Sequence, residues 1–156
     1  MRCLLYIILL SGCWPEVPHN PVVGAPPHVD EAIEICHDLY ASQLYDLPPF
    51  EGELIWMEGE CLEIDLNFAE DLVVDYPDCL DGIYFAEYET AYVLVRTSLA
   101  NTILSHELIH YWLDVTTGST DKPHQKDEWW SLVKPANVLI RDMEQYYEDA
   151  EEAEDG

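Results

Sequence analysis

The pentapeptide His106-Glu107-Leu108-Ile109-His110 most restricts what this chain can fold into. Two histidines four positions apart lie one turn apart on the same helical face, so both imidazoles can reach one metal ion. The glutamate between them is placed to take a proton from water that the metal activates. The pattern therefore predicts a helix with two metal ligands, His106 and His110, and one catalytic residue, Glu107.

The residues around the motif also predict a buried helix. Apolar side chains recur at helical spacing between positions 99 and 115. Ser98 is a suitable N-cap residue, and Gly118 is well placed just beyond the last turn. The alternative is a helix whose histidines are only hydrogen-bonded inside a core. That alternative requires a separate buried hydrogen-bond partner for each ring, so we favour the interpretation that both histidines bind one metal ion.

The remaining patterns predict an α+β domain over residues 29–147. Further helices are expected at 29–45 and from Pro135 or Asn137 to about 147, and strands at 54–57, 61–68, 83–85 and 91–96. Residues 148–156 are an acidic tail that we expect to be disordered, because such a composition cannot bury apolar surface.

The N-terminus has the layout of an export signal. One positive charge is followed by a short apolar run and small residues, so residues 1–12 are predicted to be a signal peptide. The ending Leu10-Ser11-Gly12-Cys13 resembles a bacterial lipobox, which implies lipidation of Cys13 and a lipid-anchored protein of the bacterial cell envelope, facing the periplasm or the exterior. Residues 13–28 contain five prolines in all and are predicted to be an extended tether. The alternative is an ordinary signal peptide with an incidental cysteine.

Three cysteines remain in an oxidising compartment beyond the lipidation site, namely Cys36, Cys61 and Cys79. They allow one disulfide and one free thiol, with three possible pairings. We prefer Cys61–Cys79, because these two flank one strand-like stretch. The chain contains no C-x-x-C pair, which disfavours a cysteine-based zinc site.

The charge of the chain restricts its partners. With 32 acidic and 6 basic residues, the formal net charge is −26. Such a surface repels nucleic acid and anionic headgroups, so neither is an expected partner. Membrane attachment is expected only through the N-terminal lipid.

The His106–His110 motif resembles that of the zincin metallopeptidases. The resemblance loosely extends to the strand at 91–96 and to the loop after the motif helix. It implies a zincin-like fold with a small mixed sheet, flanking helices, and an edge strand that pairs with extended substrate near residues 92–95. It also implies a zinc-dependent metallopeptidase acting on peptide or protein substrates. The alternative is a non-catalytic zinc-binding envelope lipoprotein, an adaptor or inhibitor.

A catalytic zinc needs a third protein ligand, and candidates follow the motif helix. Leu113 and Thr116 replace the glycine and histidine of the metzincin extension, which excludes that subclass. Asp121 lies at a spacing resembling the aspartate-zincins, and Glu128 is the candidate of the glutamate-zincin type. We favour His124, because a neutral ligand keeps the site positive and its loop resembles that of small bacterial zincin lipoproteins. Asp121 would then hold a histidine ring.

Several aromatic residues are secondary candidates for the site. Trp112, Trp129 and Trp130 are candidates for the wall of the cleft, and the alternative is that they belong to the core, as aromatics at such spacing more often do. Several zincins use a downstream tyrosine to stabilise the oxyanion, and the resemblance gives Tyr146 or Tyr147 that role.

Overall fold

The motif helix packs against one small sheet in the computed structural model, which describes residues 17–44, 46–64 and 79–155. In chain order the elements are α1 (Val29–Gln43), β1 (Glu53–Met57), β2 (Gly82–Phe85), β3 (Thr90–Leu94), α2 (Leu104–Thr117), α3 (Asp127–Trp130) and α4 (Val133–Asp155). The predicted α+β class is confirmed, and α2 carries the histidine motif.

The sheet is mixed, with the order β1-β3-β2. Strand β1 runs parallel to β3, and β2 runs antiparallel to it. All five residues of β3 are buried, as is typical of a central strand that is apolar on both faces. The expectation that substrate pairs near residues 92–95 is therefore wrong, because both sides of β3 already pair with neighbouring strands.

Helix α2 is the centre of the core. It contacts β2, β3, α1 and α4, and nine of its residues are buried. The Tyr40 hydroxyl on α1 donates to the Ser105 carbonyl at 2.7 Å, and the Trp112 indole N–H donates to the Pro48 carbonyl at 3.0 Å. These bonds satisfy polar groups that the core would otherwise leave unpaired. The motif is thus held on a rigid element.

The start of α2 differs from the prediction. Ser98 precedes a short 3-10 turn, Leu99–Asn101, and α2 begins only at Leu104. The Glu144 carboxylate of α4 accepts the backbone N–H groups of Leu99 and Ala100, at 2.5 and 3.3 Å. Glu144 thus caps the 3-10 turn, whereas at the start of α2 the Thr102 hydroxyl oxygen accepts the Leu104 N–H at 3.2 Å, so the helix begins beyond the turn that follows Ser98.

The segment predicted to be an extended tether, residues 13–28, is docked on the domain at residues 20–23. Its backbone runs antiparallel beside β1: Val23 N–H donates to the Trp56 carbonyl at 2.8 Å, and Glu58 N–H to the Pro21 carbonyl at 2.9 Å. The buried Asn20 side chain also bonds to the backbone of residues 58, 61 and 63. These residues therefore belong to the folded domain, which composition does not indicate, because it predicts an extended chain but not whether a sheet edge pairs with it.

Two further predictions need correction. Residues 61–64 form no strand, and the rest of the strand predicted at 61–68 lies outside the described residues. Helix α4 starts at Val133 and continues to Asp155, so the expected disorder of the tail is wrong. Alanine and glutamate favour helix, and the Gln145 side chain donates to Asp149 one turn later at 2.8 Å.

The disulfide prediction is confirmed. Cys61 and Cys79 are bonded, and Cys36 is a buried free thiol. Cys13 and the predicted signal peptide lie outside the described residues. None of the described helices is long and apolar enough to cross a membrane.

Candidate metal centre

Three histidines converge beside α2. His106 and His110 are on the helix, and His124 comes from the loop that leads to α3. One nitrogen from each ring lies within 4.8 Å of the other two. The Nε2 atoms of His110 and His124 are 3.3 Å apart. Helix and loop therefore bring together the three ligands favoured from the sequence.

The spacing of these nitrogens fits a small metal ion. Two imidazoles bound to a tetrahedral zinc at about 2.0–2.1 Å have nitrogens about 3.4 Å apart. The His110–His124 separation matches that value. The three ring centroids are nearly equidistant, at 4.9, 4.9 and 5.1 Å. Three neutral nitrogen donors are a set that catalytic zinc uses, with water as the fourth ligand.

His110 is oriented by the end of its own helix. Gly118 has the left-handed φ of 69° that the sequence predicts for a residue ending a helix. The chain then turns back, and the carbonyl of Thr120 lies 2.6 Å from His110 Nδ1. The Nδ1–H donates to this carbonyl, which leaves the Nε2 lone pair free for a metal.

The loop returns His124 to the helix through two strained residues. Asp121 and His124 have left-handed φ values of 51° and 53°, which are uncommon for residues with a side chain. The His124 N–H donates to the Asp121 carbonyl at 2.7 Å and closes the turn between them. Such backbone strain persists where the surrounding structure requires it, and functional sites are a common place for it.

Asp121 takes neither of its two predicted roles, as a metal ligand or as an acceptor for a histidine ring. Its Oδ2 accepts the Trp130 indole N–H and the Lys126 backbone N–H, both at 2.9 Å, instead of holding a histidine ring. Burial by itself would raise the pKa of Asp121, but these bonds hold it below its ordinary value. Asp121 and Glu128 are not members of the converging metal-ligand group, and Glu128 is exposed.

Burial keeps the histidines neutral in the metal-free protein. It lowers the pKa of His106 to about 3, and the neighbouring rings of His110 and His124 add to the effect. Burial also lowers the pKa of His110 to about 4, although the hydrogen bond to Thr120 opposes it. The pKa of His124 is lowered by burial as well, against the charge of Asp121. At neutral pH all three rings therefore offer lone pairs.

Glu107 is enclosed between α2 and the start of β2. The residue is 2% exposed, and a Cβ atom built on Gly82 would lie 3.0 Å from its Oε1. Within residues 17–44, 46–64 and 79–155, its Oε2 has no hydrogen-bond partner. Burial raises the pKa of Glu107 to about 8, although the charge of Lys122 opposes the shift. Groups in such unfavourable surroundings are concentrated at functional sites.

This environment predicts an unusual pH dependence for the metal-free protein. Between about pH 7.5 and 8.5 the histidines are almost fully neutral in both states, whereas folded Glu107 still partly holds the proton that the unfolded chain has released. The free energy of unfolding should therefore fall as the pH rises through this window. Glu107→Gln should remove that fall, as measured by urea denaturation at both ends of the window. An equal slope in both proteins would contradict the assignment.

The other aromatic candidates separate into core and site. The Trp130 ring lies 4.8, 4.9 and 4.4 Å from the rings of His106, His110 and His124, respectively. Trp112 and Trp129 are buried in the core. The structure does not support an oxyanion role for either tyrosine. Tyr147 stacks on His28, just before the start of α1, and Tyr146 is 69% exposed. The sequence pattern alone does not tell which tryptophan lies at the site and which lie in the core, since all three are next to apolar residues.

Comparison with known proteins adds no relative. The chain matches no protein-family model, no curated protein and no solved structure. The interpretation of the site therefore depends on its own geometry.

Proposed function

We propose that this protein is a zinc-dependent metallopeptidase with a zincin-like fold, in which His106, His110 and His124 hold the zinc. The observation that carries the proposal is the position of His124, whose Nε2 lies 3.3 Å from that of His110. A histidine from a separate loop has no local reason to meet the helical pair. Its convergence on them argues against an accidental motif.

Glu107 is the general base of the proposed reaction. Zinc, when bound, supplies Lewis acidity that polarises the scissile carbonyl and acidifies water. Glu107 takes the proton from that water and passes it to the leaving amine. The raised pKa of about 8 belongs to the metal-free protein. A nearby dication favours the ionised carboxylate, so Glu107 becomes the base when metal is present.

The substrate pairs, in this proposal, with the outer edge of β2 and not with β3. Strand β2 is the antiparallel edge strand, and among the described residues no strand pairs with its other side. Its first residue, Gly82, lies beside the Glu107 carboxylate. An extended peptide added to this edge would run past the proposed base, and its main chain would supply the hydrogen bonds.

The proposal is tested by metal analysis paired with digestion of a mixed peptide library. We expect one zinc per chain and cleavage that a chelator abolishes and added zinc restores. Cleavage that persists after complete removal of metal would have another source. Absence of bound metal from the wild-type protein would contradict the proposal altogether.

The burial of Glu107 favours a second candidate, a zinc-binding envelope lipoprotein without turnover. A general base must reach substrate and water, yet this carboxylate is only 2% exposed. The two candidates differ in one result. If zinc binds with the expected stoichiometry and no member of the library is cleaved, the non-catalytic adaptor or inhibitor is the better assignment.

Anchoring to the bacterial envelope through Cys13 is part of the same proposal. Cys13→Ser should abolish labelling by a fatty-acid probe and release the protein from membranes, because acyl chains then no longer anchor it. Cys3→Ser, inside the predicted signal peptide, is the matched control and should leave labelling intact. Unchanged labelling and membrane partition in Cys13→Ser would reject the lipoprotein assignment.

A further inference from the structure

We infer that Asp121 and Trp130 form a positioning pair that holds the three histidines in place for the metal. The inference rests on the proposed metal centre. It assigns to Asp121 a role other than coordination, and to Trp130 the role of the surface against which the histidine rings pack.

The first observation is the placement of the Trp130 indole. Its centroid lies 4.4 to 4.9 Å from all three imidazole centroids, while the imidazoles lie 4.9 to 5.1 Å from one another. The indole thus contacts the helical histidines and the loop histidine at once. A ring in this position restricts the rotation of each ligand and excludes water from one side of the cluster.

The second observation is the way Asp121 holds both the indole and the loop. Asp121 is 8% exposed, and a single oxygen, Oδ2, accepts the N–H groups of Trp130 and Lys126. Its backbone carbonyl accepts the His124 N–H at 2.7 Å. One residue therefore fixes the ring behind the ligands, the start of α3, and the turn that presents His124.

The pair matters most for His124, since α2 places the other two ligands and the Thr120 carbonyl also orients the His110 ring. The His124 side chain is exposed and its residue has a left-handed φ, so the loop must be held to keep the nitrogen near His110. Loss of groups that orient ligands typically lowers metal affinity about 10- to 100-fold. We expect a loss of this size when the hydrogen bonds of Asp121 are removed.

Substitution by asparagine separates a positioning role from coordination. The hydrogen bonds from Trp130 and Lys126 reach the same oxygen of Asp121, so the one amide oxygen of asparagine can accept both, and only the smaller contribution of the Gln125 backbone N–H to the carboxylate is at risk. A carboxylate ligand, in contrast, supplies negative charge that the amide lacks. Asp121→Asn should therefore retain nearly the wild-type zinc affinity if the residue positions, and lose it if the residue coordinates.

The experiment measures zinc affinity of the full chain by competition with a chromophoric chelator. We expect Asp121→Ala to bind about 10- to 100-fold more weakly, Asp121→Asn to stay within a few-fold, and Trp130→Phe to be weakened as well. Asp127→Ala is the matched control, because it removes an exposed carboxylate nearby and should not change affinity.

A second readout follows the indole itself. The Trp130 Nε1–H signal in a proton–nitrogen spectrum, assigned by its loss in Trp130→Phe, should shift in Asp121→Ala and keep its position in Asp121→Asn. Folding of each variant is checked by circular dichroism, and the asparagine and phenylalanine variants suffice if the alanine variant does not fold.

The outcomes separate this inference from the proposed function. Wild-type affinity in both Asp121→Ala and Trp130→Phe would overturn the positioning role, as would equal loss of zinc in Asp121→Asn and Asp121→Ala. If the variants behave as expected and no peptide is cleaved, the positioning role stands and the peptidase assignment fails. A wild-type protein that binds no zinc overturns both.

Discussion

Glu107→Gln should reduce peptide hydrolysis by about 10²- to 10⁴-fold, the loss expected on removing a general base. Glutamine keeps the size of the side chain and cannot accept the proton from water. The carboxylate is not one of the three converging ligands, so the zinc content should stay at the wild-type level. The measurement is kcat/KM on a peptide first found with the wild type, with zinc determined on the same sample.

The matched control for this experiment is Glu128→Gln. It makes the same chemical change on an exposed side chain of α3 and should leave hydrolysis unchanged. Because Glu107 is buried with an unpaired oxygen, its replacement should also stabilise the metal-free protein at pH 8, and loss of activity by unfolding is therefore not expected. If Glu107→Gln cleaves as fast as the wild type, the hydrolysis has another source and the proposed mechanism fails.

His124→Ala should produce a larger loss of metal than any substitution of Asp121 or Trp130. It removes one of three protein ligands, so affinity should fall by more than the roughly 10- to 100-fold expected for groups that only orient ligands. The side chain is exposed, and its removal should therefore leave the fold of the metal-free protein intact. Metal-to-protein stoichiometry after gel filtration checks this expectation.

His37→Ala is the control for the loss of a histidine. His37 lies on α1, where its Nε2 is 3.0 Å from the Leu47 carbonyl, and it is outside the converging group. Its removal should leave zinc binding unchanged. If His124→Ala retains wild-type affinity while Asp121→Asn loses zinc, the third ligand is Asp121 and the assignment of His124 is wrong.

Local patterns in the sequence were sufficient for the features that depend on near neighbours. The spacing of His106 and His110 places both on one helical face in any helix, and the apolar period around them requires burial. Gly118 ends α2 because a left-handed residue is needed there. The preference for Cys61–Cys79 was also correct. The helical inferences hold because the physical cause lies within a few residues of its effect, whereas the two cysteines are 18 residues apart and their pairing was a preference among three possibilities.

Other features depended on contacts between distant parts of the chain. Whether β3 or β2 is the edge strand depends on the order of pairing, which the alternation of residues does not encode. The docking of the N-terminal segment beside β1 depends on which backbone groups meet there.

By itself, then, the sequence determined the motif helix, its two histidines, the placement of Glu107 between them, and the α+β class. Only the tertiary structure decided that His124 meets that pair, that Glu107 is enclosed beside Gly82, and that Asp121 bonds to Trp130. The reason is physical. Helical periodicity is a property of consecutive residues, whereas the return of a loop depends on the whole set of packing contacts that hold its two ends.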